Sequence, residues 1–156
     1  QPSAGIFDAT MVVTGVAIVA SAVLLLRGGA TRFLGWSTLL TGVGVLGVGV
    51  FPGNVGSVHP WFAMLAFVAG GLAGVATWFA AAGPIRWFAG VLGTVSLATL
   101  VYAVFGGLEA PPLYELGDGG TERWVAYPVV LWMVLLGGGM MAGLDVGGRH
   151  RADVSR

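Results

Sequence analysis

Residues 61–82 read WFAMLAFVAGGLAGVATWFAAA, 22 positions without a charge. About 20 apolar helical residues cross the roughly 30 Å hydrocarbon layer of a bilayer. In lipid a backbone must satisfy its own polar groups, so a run of this kind reads as a membrane-spanning helix. Four more runs of the same character flank it: Ile6 to Leu26, Phe33 to Val50, Ile85 to Phe105, and Trp124 to Leu144. Between them lie Arg27-Gly-Gly-Ala-Thr-Arg32, the Phe51 to Pro60 segment, Gly83-Pro84, and a longer stretch from Gly106 to Arg123 rich in Pro and Gly. Such residues punctuate regular structure. The expectation is an all-α, polytopic transmembrane bundle of five helices (about 6–26, 33–50, 61–82, 85–105 and 124–144), one membrane domain over 1–156.

The composition of the 156 residues agrees. Hydrophobic residues make up 56% and charged residues 9%, against roughly 25% charged in an ordinary soluble domain. Seven arginines and no lysine balance seven acids, so the basic footprint of a nucleic-acid binder is missing and no nucleic-acid partner is expected. Cysteine is absent, which removes disulfides, thiol catalysis and cysteine-ligated metals from consideration.

Arginine placement orients the spans, since Lys and Arg in short loops are retained on the cytoplasmic side. Arg27, Arg32, Arg86, Arg149, Arg151 and Arg156 fall on one side of five alternating spans, and Arg123 falls on the other. This predicts a multi-pass protein of the cell membrane with its N-terminus outside and its C-terminus in the cytoplasm. Trp36, Trp61, Trp87 and Trp124 fall at span ends, the depth that indole rings prefer. The chain opens Gln-Pro-Ser without an initiator Met, and a removed or missing upstream helix is the favoured explanation.

Glycines recur at the spacing that lets helices approach closely in lipid: Gly42, Gly44, Gly47 and Gly49; Gly70, Gly71 and Gly74; Gly137, Gly138, Gly139 and Gly143. Packing within one bundle is the plain reading, and a seam with a second copy or a partner membrane protein, or a route for a ligand, are the alternatives. Met133, Met140 and Met141 read as lipid-facing or core surface. His59 and His150 fall on opposite sides, so no haem pair is available, and no cofactor is expected.

Ionisable groups in or beside spans are site candidates by default. Asp8 lies about one turn into the first span, where it either anchors the helix start or joins a site. His59 precedes Pro60 at the entry to the third span, with Asn54 in the same loop; it is either solvated or hydrogen-bonded to backbone, or else a general base or a hydrogen-bond donor to an anionic headgroup. Glu122-Arg123-Trp124 followed by Tyr127-Pro128 opens the fifth span, as an interface anchor or as a clamp in which Arg123 holds a phosphate or carboxylate. Glu109, Glu115 and Asp118 read as a solvated acidic loop without calcium-loop spacing. Nucleotide-binding loops, nucleophile elbows and zincin helices are missing from the sequence, and no metal site is expected.

Pro2-Ser-Ala-Gly-Ile-Phe-Asp8, Gly47-Val-Gly-Val-Phe-Pro52 followed by His59, Gly83-Pro-Ile-Arg86, and Glu122-Arg-Trp-Val-Ala-Tyr-Pro128 with Trp132 together resemble the prokaryotic integral membrane family called domain of unknown function 998. The resemblance covers the whole chain. It implies a protein generally of six helices, of which Gln1 to Leu26 matches the second, so that the usual first helix is missing here. It also implies Asn where Asp8 stands, which weakens a catalytic role for that carboxylate. The family is distantly similar to six-helix membrane proteins linked to lipid organisation and lipid-anchor remodelling, an analogy of fold. The leading expectation is an outward-facing polar site of Asp8, Asn54, His59, Glu122, Arg123 and Tyr127 that recognises a lipid headgroup or small anion. The alternatives are a membrane enzyme acting on lipid, with His59 as base and Arg123 stabilising a phosphate-centred transition state, and a structural subunit packing against a partner.

Overall fold

The computed structural model describes residues 2–53, 57–106 and 113–146. Asn54, Glu109, His150, Arg149, Arg151 and Arg156 lie outside them. The architecture is all-α, with helices α1 (Pro2–Arg27), α2 (Arg32–Val50), α3 (His59–Ala80), α4 (Pro84–Gly106) and α5 (Leu113–Met141). Each contains a stretch long and apolar enough to cross a membrane, which makes the protein a multi-pass membrane protein. Large side chains such as Val13, Leu24, Phe79, Phe88 and Val134 are exposed, as suits a bundle whose solvent is lipid.

Sequence chemistry explains most of the helix ends. The Thr31 side chain caps α2 by accepting from the Leu34 N–H, which satisfies one of the donors left over at a helix start. The ends of α1 and α5 share one device. Gly29 and Gly143 take positive φ values of 87° and 88°, and the following amides of Ala30 and Leu144 reach back to Leu25 and Gly139 carbonyls at 3.0 and 2.8 Å. This left-handed glycine closure ends α5 at Met141, three residues before the expected boundary.

The start of α5 corrects the sequence expectation more substantially. Residues 106–123 read as a loop, yet the helix begins at Leu113, and the backbone leaves the helical path at Gly117 alone (φ 65°, ψ 175°). Leu113, Glu115, Leu116 and Glu122 are good helix formers, and these local preferences outweigh the scattered glycines. The membrane-crossing part, Gly119–Met141, therefore restarts after a break that only glycine enters easily.

Neighbours in sequence are neighbours in space: α1 packs on α2, α2 on α3, α3 on α4 and α4 on α5, with α5 also touching α3. A Cβ built on Gly44 of α2 would lie 2.5 Å from the Ala66 N of α3, and one built on Gly93 of α4 would lie 2.5 Å from the Gly71 O of α3. Backbones touch at these crossings. Gly137 and Gly138, expected on a contact face, have open space where a Cβ would stand. The antiparallel order puts Arg27, Arg32 and Arg86 at one end of the bundle and Arg123 at the other. At the former end Arg86 lies over the Trp87 ring, 5.4 Å from its centroid.

Two polar contacts tie α5 into the core. The buried Trp132 indole N–H donates to the Thr77 hydroxyl of α3 at 2.8 Å, and that hydroxyl donates to the Ala73 carbonyl at 2.9 Å. Ser96 of α4 donates to the Val125 carbonyl at 2.8 Å. Val125 precedes Pro128 by three residues, in the turn whose backbone bonding a mid-helix proline disturbs, and a neighbouring hydroxyl is one of the remedies membrane helices use. Ser96→Ala is therefore expected to destabilise the bundle by about 1 kcal/mol, measurable as a lower midpoint in denaturing-detergent unfolding.

Candidate functional site

His59 is the first residue of α3 and is followed by Pro60 in the first turn, where a missing N–H costs nothing. Its Nδ1 lies 2.8 Å from the Phe51 carbonyl oxygen at the end of α2. A carbonyl only accepts, so Nδ1 donates and Nε2 is the ring nitrogen left for another partner. The Phe51 ring stacks on Phe62, one turn into α3, at 5.4 Å and nearly parallel. These two contacts hold the start of α3 against Phe51 at the end of α2.

From the other side α5 brings Glu122, Arg123 and Tyr127. Positions 123 and 127 are four apart and share a helix face. They meet His59 around one cavity of about 400 Å³, which is also lined by Phe7 and Met11 of α1, Thr41, Val45 and Val48 of α2, Ala63, Ala66 and Phe67 of α3, and Gly119, Ala126, Val129, Val130 and Met133 of α5. Glu122, Arg123 and Tyr127 are exposed and His59 is half-buried. Among the described residues Arg123 and Glu122 are not tied into an ion pair.

The six expected site residues therefore divide. His59, Glu122, Arg123 and Tyr127 share the cavity. Asp8 does not line it. One helical step past Phe7 turns a side chain by about 100°, and the Asp8 backbone carbonyl faces α2, 2.7 Å from where a Gly49 Cβ would stand. Asn54 lies outside the described residues. Asp8→Asn is accordingly expected to change anion affinity in titrations of the purified protein by clearly less than Arg123→Ala does, because its carboxylate is not among the groups that line the cavity.

The apolar wall is harder to read from sequence than the charged rim. Thr41, Val45 and Val48 recur at helical intervals in α2, as do Ala63, Ala66 and Phe67 in α3; which of several faces lines a cavity depends on the packing. Chemically, the rim offers the five fixed donors of a guanidinium and the hydroxyl of a phenol, with one carboxylate and the acceptor nitrogen of an imidazole beside them. That set suits a phosphate or carboxylate. Among the described residues no three His, Cys, Asp or Glu side chains gather as a metal site would require.

A family model described as "Protein of unknown function (DUF998)" matches residues 1–139. No curated protein and no solved structure matches the chain.

Proposed function

Because the chain belongs to the DUF998 family, whose description assigns no activity, we propose from its own geometry that it binds an anionic group, a phosphate or carboxylate, at the Arg123 end of the bundle. Arg123 is the clamp, the Tyr127 hydroxyl is the secondary donor, His59 stands beside them with its Nδ1–H committed to the Phe51 carbonyl, and membrane lipids or small free anions are the sources of the ligand. The carrying observation is that His59 of α3 and Glu122, Arg123 and Tyr127 of α5, far apart in sequence, line one cavity whose remaining wall is apolar apart from Thr41, whose hydroxyl is bonded to Ser37 O. The arginine distribution supports an outward-facing site, with the N-terminus outside. In this reading the glycines of α2, α3 and α4 serve packing within a single bundle, and recognition rather than turnover is the role.

Titration of the detergent-purified protein with inorganic phosphate and, separately, with phosphatidylglycerol tests it. Arg123→Ala is expected to weaken binding roughly 10- to 100-fold, the worth of a charge-assisted hydrogen-bonded contact. Glu122→Gln is expected to tighten binding severalfold by removing the competing carboxylate. Binding of phosphate alone at the affinity of the lipid identifies a free anion as the ligand. Equal affinities of the wild type and Arg123→Ala for both probes would overturn the proposal.

A further inference from the structure

We propose that this site binds its anion together with a proton, taken up at Nε2 of His59; the inference rests on the anion-binding reading above and adds the condition under which the site fills.

Among the described residues, the charged and titratable groups that line the cavity are His59 of α3 and Glu122, Arg123 and Tyr127 of α5. The walls from α1 and α2 contribute Phe7, Met11, Thr41, Val45 and Val48, none of which titrates, and Phe51 and Gly53 beside the ring add no charge. With the imidazole and the phenol neutral, the Arg123 guanidinium and the Glu122 carboxylate cancel. The rim then offers an anion no net charge. A protonated His59 leaves it one positive charge, which an anion beside an apolar wall needs as compensation.

The hydrogen bond at the ring decides where that proton goes. Nδ1 donates to the Phe51 carbonyl oxygen at 2.8 Å, so its own proton is already in place, and Nε2 is the one ring nitrogen that can take another. In the neutral ring Nε2 is an acceptor, and its lone pair opposes an anion. Protonated, the same atom becomes a charged donor, with no change of tautomer and no loss of the Phe51 bond. Glycine at position 53 leaves that side of the ring open: a Cβ built there would still lie 3.8 Å from Nε2.

Proton and anion are therefore linked. An anion in the cavity favours the imidazolium, and the imidazolium favours the anion by the same factor. Imidazole is the side chain that ordinarily changes charge between about pH 5 and 8, so binding tightens as the pH falls through that range and weakens as it rises. Glu122 makes the proton count, because its carboxylate offsets Arg123 in the empty site.

The test compares affinities of the detergent-purified protein at about pH 5.5 and pH 8 for phosphatidylglycerol and, separately, for sulfate. Both probes keep their charge over this range, and the pair distinguishes a lipid source from a free anion. The wild type is expected to bind the probe it accepts about tenfold more tightly at the lower pH, within the usual span of coupling between two ligands. His59→Asn, whose amide can keep a donor on the Phe51 carbonyl while removing the titrating nitrogen, is expected to abolish the difference, with His150 left in place. Glu122→Gln is expected to bind more tightly at both pH values and to retain it. Calorimetry of the wild type in two buffers of different ionisation heat needs no variant, and is expected to show proton uptake on binding. If Arg123→Ala weakens binding while the wild type shows neither a pH difference nor proton uptake, the coupling is wrong and the anion site stands. If Arg123→Ala has no effect at either pH, the anion site itself fails. A pH difference that survives His59→Asn and vanishes in Glu122→Gln would put the proton on the carboxylate and overturn the proposal.

Discussion

Trp132→Ala is expected to cost the bundle about 3 kcal/mol, read as a shift in the equilibrium unfolding midpoint in mixed detergent micelles. In a water-soluble core a Trp→Ala change loses transfer free energy as well as packing and leaves a cavity. Within lipid the unfolded helices are not exposed to water, so the packing and cavity part dominates what remains. That part is large because Trp132 is only 1% exposed, sits in the main core cluster with Ala73, Ala76 and Val129, and holds α5 to α3 through Thr77. Trp132→Phe keeps most of the volume and loses only the indole N–H, leaving the Thr77 hydroxyl still bonded to Ala73; about 1 kcal/mol is expected. Equal losses for the two variants would show that the hydrogen bond, rather than packing, holds α5 in place.

A branched side chain at position 93 is expected to act as strongly by the opposite route. A Cβ built there would lie 2.5 Å from Gly71 O and 2.6 Å from Val75 N, and one built on Gly74 would lie 2.8 Å from Gly93 Cα. Both sides of the contact are backbone, which no rotamer change can move aside. Gly93→Val must push α4 off α3, and about 3 kcal/mol of overpacking is expected, with a smaller loss for Gly93→Ala. Gly137→Ala is the control: its added methyl meets nothing within 4 Å, and alanine is the better helix former by up to about 1 kcal/mol. Thermal unfolding of the three variants checks the order Gly93→Val, Gly93→Ala, Gly137→Ala, from least to most stable.

Much of the helical frame can be read along the chain, because lipid reduces the problem to apolar length and punctuation. Arg27 and Arg32 bracket the first connection, Gly83-Pro84 marks the third, and the observed ends of α2 and α4 lie within a residue of expectation. The start of α5 is less legible. Eighteen residues containing Pro111-Pro112, Gly117, Gly119 and Gly120 read as loop, and nothing local says that only Gly117 breaks the helix. That difference also affects Thr121. Its hydroxyl is buried and has no hydrogen-bond partner among the described residues, and the carbonyl four residues back, which other intramembrane threonines such as Thr41 and Thr77 use, belongs to Gly117, whose backbone is not helical there.

The candidate site divides along a similar line. His59, Glu122, Arg123 and Tyr127 stand out as rare polar residues at span ends, and topology alone puts them at the same end of the bundle. The cavity that joins them is bounded by α1, α2, α3 and α5 together, a product of tertiary packing that no stretch of residues carries by itself. Asp8 shows the limit of the argument from topology: it is at the right end of the membrane, but it does not line the cavity that Phe7 and Met11 of the same helix reach.

Phosphorus NMR of the protein in nanodiscs of phosphatidylglycerol tests the central claim most directly. Binding at the Arg123 rim predicts a protein-dependent population of exchange-broadened headgroup phosphorus with the wild type, retained in Asp8→Asn and lost in Arg123→Ala. Headgroup line shapes identical for wild type and Arg123→Ala would contradict it.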